Sequence, residues 1–190
     1  MLKKRQNTPA HLLLDDTPYF ITAIIYQSRN LLADPQLKET LLELIQTYFA
    51  KFNWELHHWV ILDNHYHILG QSRRGEDLSK VMRSIHSHSA QYIRQATQAA
   101  KPIWWNYWDY CPRNEADYLT RLNYLLYNPV KHGYVTDLKD YPFSSFHQLY
   151  ETRGPAELTH QFQAYPQYRT LVLPEVDDEN PEFQSAESQS

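Results

Sequence analysis

Two histidines, His65 and His67, stand two residues apart in this chain, and imidazole is among the commonest metal ligands in proteins. Side chains two apart on a β-strand point to the same face, so both rings would face one site, as ligands of a single ion must. The apolar Ile68 and Leu69 that follow predict a buried strand, where an imidazole needs a polar partner or a metal. The alternative is a pair of polar side chains on an exposed strand face.

Tyr124 and Asn128 form a second pair, four residues apart in a segment typical of the end of a helix, and therefore share one helix face. The amide oxygen of Asn128 could complete the shell of an ion held by His65 and His67. Nitrogen and oxygen ligands without a thiolate are compatible with Mg²⁺, Mn²⁺ or Zn²⁺. A metal beside a tyrosine hydroxyl can support attack on a phosphodiester. Taken alone, Tyr124 is more simply interpreted as an aromatic packing residue.

Two cationic side chains, Lys131 and His132, follow directly after this predicted helix. They could hold a phosphate, or they could simply interact with the negative end of the helix dipole. With only four glycines, the chain has no glycine-rich phosphate loop, which disfavours nucleotide hydrolysis.

The charge of the chain is unevenly distributed. The net charge is −4, but six acids and no lysine or arginine lie from residue 175 onward, leaving 18 bases against 16 acids, a net charge of +2, in residues 1–174. Bulk charge is therefore a weak signal for DNA binding, and any such claim must rest on where individual cations lie.

The elements that must position these residues follow from periodicity. Strands are predicted over 19–26, 54–62, 65–71 and 103–108. One helix is predicted to begin after an Asp34 cap and a second to extend over 78–99. A third begins after an Asn114 cap and is expected to end at Pro129 and Gly133. The order β-α-β-β-α-β predicts an α+β fold of the ferredoxin-like type. It consists of an antiparallel sheet with helices on one face, plus a C-terminal helix carrying Tyr124.

Three regions are predicted: a flexible arm over 1–17, a domain over 18–150, and an irregular extension over 151–190 whose acidic end is disordered. No apolar run approaches the roughly 20 residues that span a membrane. The single cysteine, Cys111, cannot form an internal disulfide, which favours a cytoplasmic location.

The motifs resemble a known family. The segment from Asn64 to His67 resembles the His-hydrophobic-His motif of single-tyrosine HUH transposases. Residues 109–118 and 124–135 resemble the second half of REP-associated tyrosine transposases, and residues 140–146 resemble the segment that follows it there. The resemblance extends over about residues 18–150 and includes the order and spacing of the motifs.

This resemblance implies a nuclease and strand transferase that cleaves single-stranded DNA beside a hairpin through a 5′-phosphotyrosine. It implies Tyr124 as nucleophile and His65, His67 and Asn128 as ligands of Mg²⁺ or Mn²⁺. The chain is expected to be a monomer or dimer. Base stacking is expected on aromatic residues such as Trp105 or Tyr107. The residues predicted to contact DNA are cationic: Arg73, Arg74, Arg83, Arg113, Lys131 and His132.

Two other functions are compatible with the sequence. One is a domesticated hairpin-binding protein that has lost turnover, against which the complete set of His65, His67, Tyr124 and Asn128 argues. The other is a replication-initiator or relaxase-like nickase, a class that often carries larger helicase domains.

Overall fold

Four antiparallel strands form one sheet in the computed structural model, which describes residues 13–173. The strands are β1 (Pro18–Ile25), β2 (Glu55–Ile61), β3 (His65–Gln71) and β4 (Trp104–Tyr110), arranged in the order β2-β3-β1-β4. All three neighbouring pairs are antiparallel. With a helix between β1 and β2 and another between β3 and β4, this is the ferredoxin-like arrangement. The predicted fold class is confirmed.

Two helices cover one face of the sheet. They are α1 (Pro35–Lys51), whose first turn is capped by the carboxylate of Asp34 as predicted, and α2 (Leu78–Thr97). Alternate side chains of β1, including Ile21 and Ile25, pack against these helices in one apolar cluster. Successive strand residues face opposite sides, so the residues between them face the other side of the sheet.

Helix α3 (Glu115–Lys131) lies on that other side, over β2 and β3. The side chain of Asn114 accepts a hydrogen bond from the Asp117 amide at 2.9 Å, as expected for the predicted cap. The prediction that Pro129 helps to end the helix is wrong, since Pro129 lies inside it. The His132 amide still donates to the Asn128 carbonyl, and the chain leaves the helix at Gly133 with a φ of +72°, where glycine carries no steric penalty.

The prediction of an irregular chain after residue 150 is also wrong for the part described. Helix α4 (Phe146–Arg153) is followed by α5 (Pro155–Ala164), with Gly154 at the break and Pro155 at the first turn, where its missing N–H costs nothing. Helix α5 packs on α3 through buried polar side chains. Gln161 donates to the Asn123 side chain at 2.7 Å, and Asn123 donates to the Gln161 carbonyl at 3.2 Å.

The described end of the predicted flexible arm is bound to the domain. The Leu14 carbonyl accepts a hydrogen bond from the Ser72 hydroxyl at 2.8 Å, and the Asp15 carboxylate accepts one from the Gly75 amide at 2.8 Å. Flexibility is therefore contradicted for residues 13–17, while the rest of that prediction, and the predicted disorder of the acidic tail, concern residues outside the described range. Within residues 13–173, none of the helices is both long and apolar enough to cross a membrane.

Candidate active site

The two predicted ligand histidines lie on β3 and face α3. Their ring centroids are 5.1 Å apart, and both side chains are buried. The turn between β2 and β3 fixes the first ring, because the Nδ1 of His65 lies 2.7 Å from the Oδ1 of Asn64. Asn64 in turn donates its amide to the Ser28 carbonyl at 3.2 Å. Because a carbonyl oxygen only accepts, His65 carries its proton on Nδ1 and turns the lone pair of Nε2 toward α3.

His67 is positioned from the neighbouring strand. Its Nδ1 lies 2.9 Å from the hydroxyl of Thr22, its register partner on β1. Its Nε2 is buried and has no hydrogen-bond partner within residues 13–173. Burial lowers the pKa of His67 well below 6.5, and the charges of His65, His132, Lys131 and Arg121 lower it further. The ring is therefore neutral at pH 7, the form in which imidazole binds a metal.

Asn128 completes this group from α3. Its Oδ1 lies 3.1 Å from the Nε2 of His65, so in this orientation of the amide two acceptors face each other. A proton or a bound cation between the two atoms would stabilise that contact. Turning the amide about would also stabilise it, because the Nδ2 of Asn128, which is buried without a hydrogen-bond partner among the described residues, would then donate to the Nε2 of His65. The lone pair of the buried His67 Nε2 adds a third donor atom of the kind that Mg²⁺, Mn²⁺ and Zn²⁺ accept. Among the described residues no three His, Cys, Asp or Glu side chains form a metal cluster. A metal ion at this position would therefore need the amide oxygen of Asn128 as its third ligand.

Tyr124 lies one helical turn before Asn128 and contacts the second histidine, His67. Its ring centroid is 5.5 Å from that of His67, and only 1% of the residue is exposed. The hydroxyl accepts a hydrogen bond from the Nζ of Lys131 at 3.0 Å, and this ammonium also lies 4.6 Å from the centre of the ring. The tyrosine oxygen is thus held beside the histidine pair by a cation.

The other tyrosine on this part of α3 points elsewhere. The ring of Tyr127 packs against Tyr168, with centroids 5.2 Å apart, and lines a half-open cleft of about 310 Å³ with residues such as Phe162 and Leu138. Tyr124 and Tyr127 are three residues apart on α3 and therefore point to different places. Tyr124 lies at the histidine pair, whereas Tyr127 lies in the contact with the C-terminal extension.

The six cations predicted to bind DNA divide into groups. Lys131 and His132 lie at the site, with the rings of His132 and His65 5.1 Å apart. Arg73, Arg74 and Arg113 lie near the other end of the sheet, roughly 20 Å from His65 along β3. There they pair with Asp16, Glu76 and Asp117 respectively. Arg83 is on α2, on the opposite face of the sheet.

Sequence reasoning missed two side chains that support the site, Thr22 and Arg121. Thr22 carries no signal of its own, since its role depends on pairing with His67 across two strands. The guanidinium of Arg121 lies 3.6 Å from the ring centre of Tyr110 and 5.3 Å from that of Phe20. Its position one turn before Tyr124, on the same helix face, is a signal that could have been found.

Comparison with known proteins identifies the family. A family model described as "Transposase IS200 like" matches residues 17–112, half of the chain, including the strand with both histidines. The chain belongs to the IS200-like transposase family. The matched region ends before α3, so the assignment of Tyr124 and Asn128 depends on the geometry and on the resemblance of the motif.

Individual relatives of this IS200-like transposase are REP-associated. The chain is 35% identical over 98 residues to the REP-associated tyrosine transposase of Escherichia coli, a match covering 50% of this chain and 56% of that protein. It is 29% identical over 150 residues to a Haemophilus influenzae protein described as the same kind of transposase, covering 68% and 80% of the two chains. A solved REP-associated tyrosine transposase bound to a REP hairpin matches with a TM-score of 0.67 at 27% identity, covering 79% of this chain and 88% of that one. The chain thus spans little more than half the length of the Escherichia coli relative.

Proposed function

We propose that this protein is a metal-dependent transposase that cleaves and rejoins single-stranded DNA beside hairpins of the REP type, with Tyr124 as nucleophile. The observation that carries the proposal is the convergence of three metal-compatible atoms, Nε2 of His65, Nε2 of His67 and Oδ1 of Asn128, beside the Tyr124 ring. Similarity to REP-associated tyrosine transposases, one of them solved with a REP hairpin, supports the choice of substrate.

The proposed reaction is an in-line displacement at phosphorus. The Tyr124 oxygen forms a bond to phosphorus while the bond from phosphorus to the 3′ oxygen breaks, giving a 5′-phosphotyrosine and a free 3′-hydroxyl. The phenol proton leaves to solvent, and the departing 3′ oxygen takes up a proton. Attack by a 3′-hydroxyl in the reverse direction rejoins the strand, so no nucleotide cofactor is consumed.

The surrounding side chains support that displacement. The Nζ of Lys131 already donates to the Tyr124 hydroxyl, and an ammonium there stabilises the negative charge that develops on the oxygen. The buried ring contacts with His67 and Phe20 hold the phenol in place. When bound by His65, His67 and Asn128, Mg²⁺ or Mn²⁺ would supply polarisation of the scissile phosphate.

The remaining predicted cations suggest how a hairpin is held. Arg73, Arg74 and Arg113 cluster near the end of the sheet remote from Tyr124, where exposed guanidinium groups suit phosphate oxygens. We assign them to the hairpin stem, and Lys131 and His132 to the phosphate at the site.

A buried thiol at Cys111 is consistent with a cytoplasmic enzyme.

The proposal is tested by trapping the covalent intermediate. The purified chain is incubated with hairpin oligonucleotides from the repeats that neighbour its gene, with Mn²⁺ or Mg²⁺ or with a chelator, and resolved on a denaturing gel. A protein–DNA adduct that needs the metal is expected. Tight hairpin binding without any adduct would instead favour the domesticated DNA-binding protein, and neither binding nor adduct would reject a role at hairpins.

A further inference from the structure

The edge strand β4 presents aromatic side chains on the same face of the sheet as the histidine pair. Trp108 is the register partner of Thr22, whose hydroxyl contacts His67, so Trp108 lies two strand spacings, roughly 10 Å, from that ring. Trp104 stacks on His86 on the opposite face. Its neighbour Trp105 lies where the register of β4 against β1 shifts, and its ring contacts that of Tyr26 instead.

Three of these rings form what we call the aromatic row: Tyr26, Trp105 and Trp108. The rings of Tyr26 and Trp105 lie 5.3 Å apart, and Trp105 is 48% exposed. Both tryptophans lie outside the two apolar clusters formed by the described residues. The exposed ring of Trp105, beside the ring of Tyr26, offers a flat apolar surface on which another planar group can stack.

Among the described residues, the helix on this face leaves Trp105 exposed and Tyr26 and Trp108 half-buried. Helix α3 packs over β2 and β3, and it reaches the β1 and β4 side where Arg121 lies over Phe20 and Tyr110. The stretch of β4 that carries Trp105 and Trp108 lies beyond that contact, toward the end of the sheet that carries His65.

We infer that the aromatic row is a stacking subsite for the bases of the single strand that joins the hairpin to the phosphate attacked by Tyr124. This inference rests on the proposed function and names how that site takes its substrate. Every base has a π-face, so aromatic rings bind single-stranded DNA without needing a particular sequence. A strand that reaches the site from the edge of the sheet crosses β4 and β1, and the row lies on that path.

Cationic side chains lie at the two ends of the row, where they could bind phosphates, while the row itself could bind bases. The guanidinium of Arg29 lies 5.8 Å from the ring centre of Tyr26 at one end, and Arg121 lies over Tyr110 at the other. The row itself consists of apolar faces, which stack with bases better than they solvate phosphates. Tyr107, the other ring expected to stack with bases, packs toward α2, where its hydroxyl lies 3.3 Å from that of Ser79, and we do not include it in the row.

The test compares two DNA ligands and matched variants. Trp105→Ala and Trp108→Ala are titrated, at one fixed salt concentration, with a hairpin that carries a short single-stranded flank and with the same hairpin without it. Affinity for the flanked hairpin is expected to fall roughly 5- to 150-fold, the change that corresponds to the loss of one base–aromatic stack. Affinity for the bare hairpin should stay within about twofold of wild type. The control is Tyr92→Ala, which removes a 49% exposed aromatic from α2 on the opposite face.

A second measurement reports directly on stacking of a base in the flank. A 2-aminopurine base placed in the flank should lose fluorescence on binding to wild type and to Trp105→Phe, which keeps a ring, and keep its fluorescence with Trp105→Ala. Three results would overturn the subsite. They are equal losses of affinity for flanked and bare hairpins, an equal effect of Tyr92→Ala, and a change of oligomeric state in the tryptophan variants. Failure of the wild-type protein to bind any hairpin would instead overturn the proposed function.

Discussion

At the scale of single residues, the site is buried at its centre and positioned by its neighbours. Tyr124 is almost fully buried, yet the proposed reaction requires its oxygen to meet a phosphate. The hydrogen bond from Lys131 shows where the hydroxyl points, which is toward the end of the helix and His132 rather than into the apolar cluster. A phosphate that arrives there would contact the tyrosine oxygen and the ammonium together.

Replacing Tyr124 with phenylalanine should abolish adduct formation while changing hairpin affinity little. Only the hydroxyl is lost, and the ring still packs against His67 and Phe20. Tyr127→Phe is the matched control, because its ring lies against Tyr168 in the contact with the extension. Adduct yield on a denaturing gel and anisotropy of a labelled hairpin are the measurements. Wild-type yield in Tyr124→Phe, with loss in Tyr127→Phe, would transfer the role of nucleophile to Tyr127.

Thr22→Val should weaken Mn²⁺ binding about 10- to 100-fold, the usual cost of losing a partner that orients a metal ligand. Valine has nearly the shape of threonine but cannot bond to the Nδ1 of His67, so the ring loses the contact that fixes its orientation. Calorimetric titration with Mn²⁺ measures the effect. Thr40→Val, on the exposed side of α1, is the control, and equal affinity in the two variants would remove Thr22 from the site.

At the scale of elements, the sheet separates two groups of histidines. His65 and His67 face α3, whereas His86 lies between α2 and β4, stacked on Trp104 with ring centroids 4.5 Å apart. The Nε2 of His86 lies 2.9 Å from the Tyr66 hydroxyl. Its role is therefore to join α2 to the sheet, and its titration affects stability rather than metal binding.

Acidification should destabilise the fold through His86. Burial lowers the pKa of His86 from 6.5 to about 3, so between these values the unfolded chain binds a proton that the folded chain does not. The free energy of unfolding therefore falls as pH falls below 6.5, by at most about 1.4 kcal/mol per pH unit. His86→Phe keeps a ring on Trp104 and removes this titration.

The measurement is urea unfolding of wild type and His86→Phe at pH 7 and pH 5. Wild type should lose more stability between these pH values than the variant does. His58, whose pKa is lowered to about 4 chiefly by burial, titrates in both proteins and cancels from the comparison. An equal loss in both proteins would mean that His86 is not held neutral in the fold.

Elements with local signals were predictable from the sequence, and those that depend on distant partners were not. The Asp34 and Asn114 caps and the alternation around His65 fixed most element boundaries to within one or two residues. Helix α5 was missed because it is short and depends on distant contacts, such as that of Gln161 with Asn123, 38 residues away. The place of Thr22 beside His67 likewise depends on strand pairing 45 residues apart, which no local pattern encodes.

At the scale of the whole molecule, the α1 and α2 layer supports the sheet, while the opposite face holds the site, α3 and the C-terminal helices. The active-site cations and the arginine cluster lie near opposite ends of that sheet. In the proposed complex the hairpin stem would lie at the arginine cluster, and the single strand would cross the aromatic row toward Tyr124. Both ends of the sheet would then contact DNA. Six acids and no lysine or arginine lie beyond residue 174, outside the described range.

Removing residues 175–190 should raise affinity for hairpin DNA, most clearly at low salt. The net charge changes from −4 to +2, and repulsion between the acids and the phosphate backbone is screened as salt increases. Anisotropy titrations of the full and shortened chains at two salt concentrations measure the difference. Equal affinity at low salt would make the acidic segment passive, and tighter binding by the full chain would make it part of the DNA site.

The most direct test of the central claim is to map the residue that becomes joined to DNA in the wild-type protein. The adduct formed with hairpin DNA and Mn²⁺ is digested with nuclease and trypsin, which cuts after Arg121 and Lys131 and releases the peptide 122–131. Fragmentation in a mass spectrometer distinguishes Tyr124 from Tyr127 within it. We predict a nucleotide 5′-phosphate on Tyr124. A nucleotide on Tyr127 or on any other residue, or DNA cleavage with no linked tyrosine, would contradict the account.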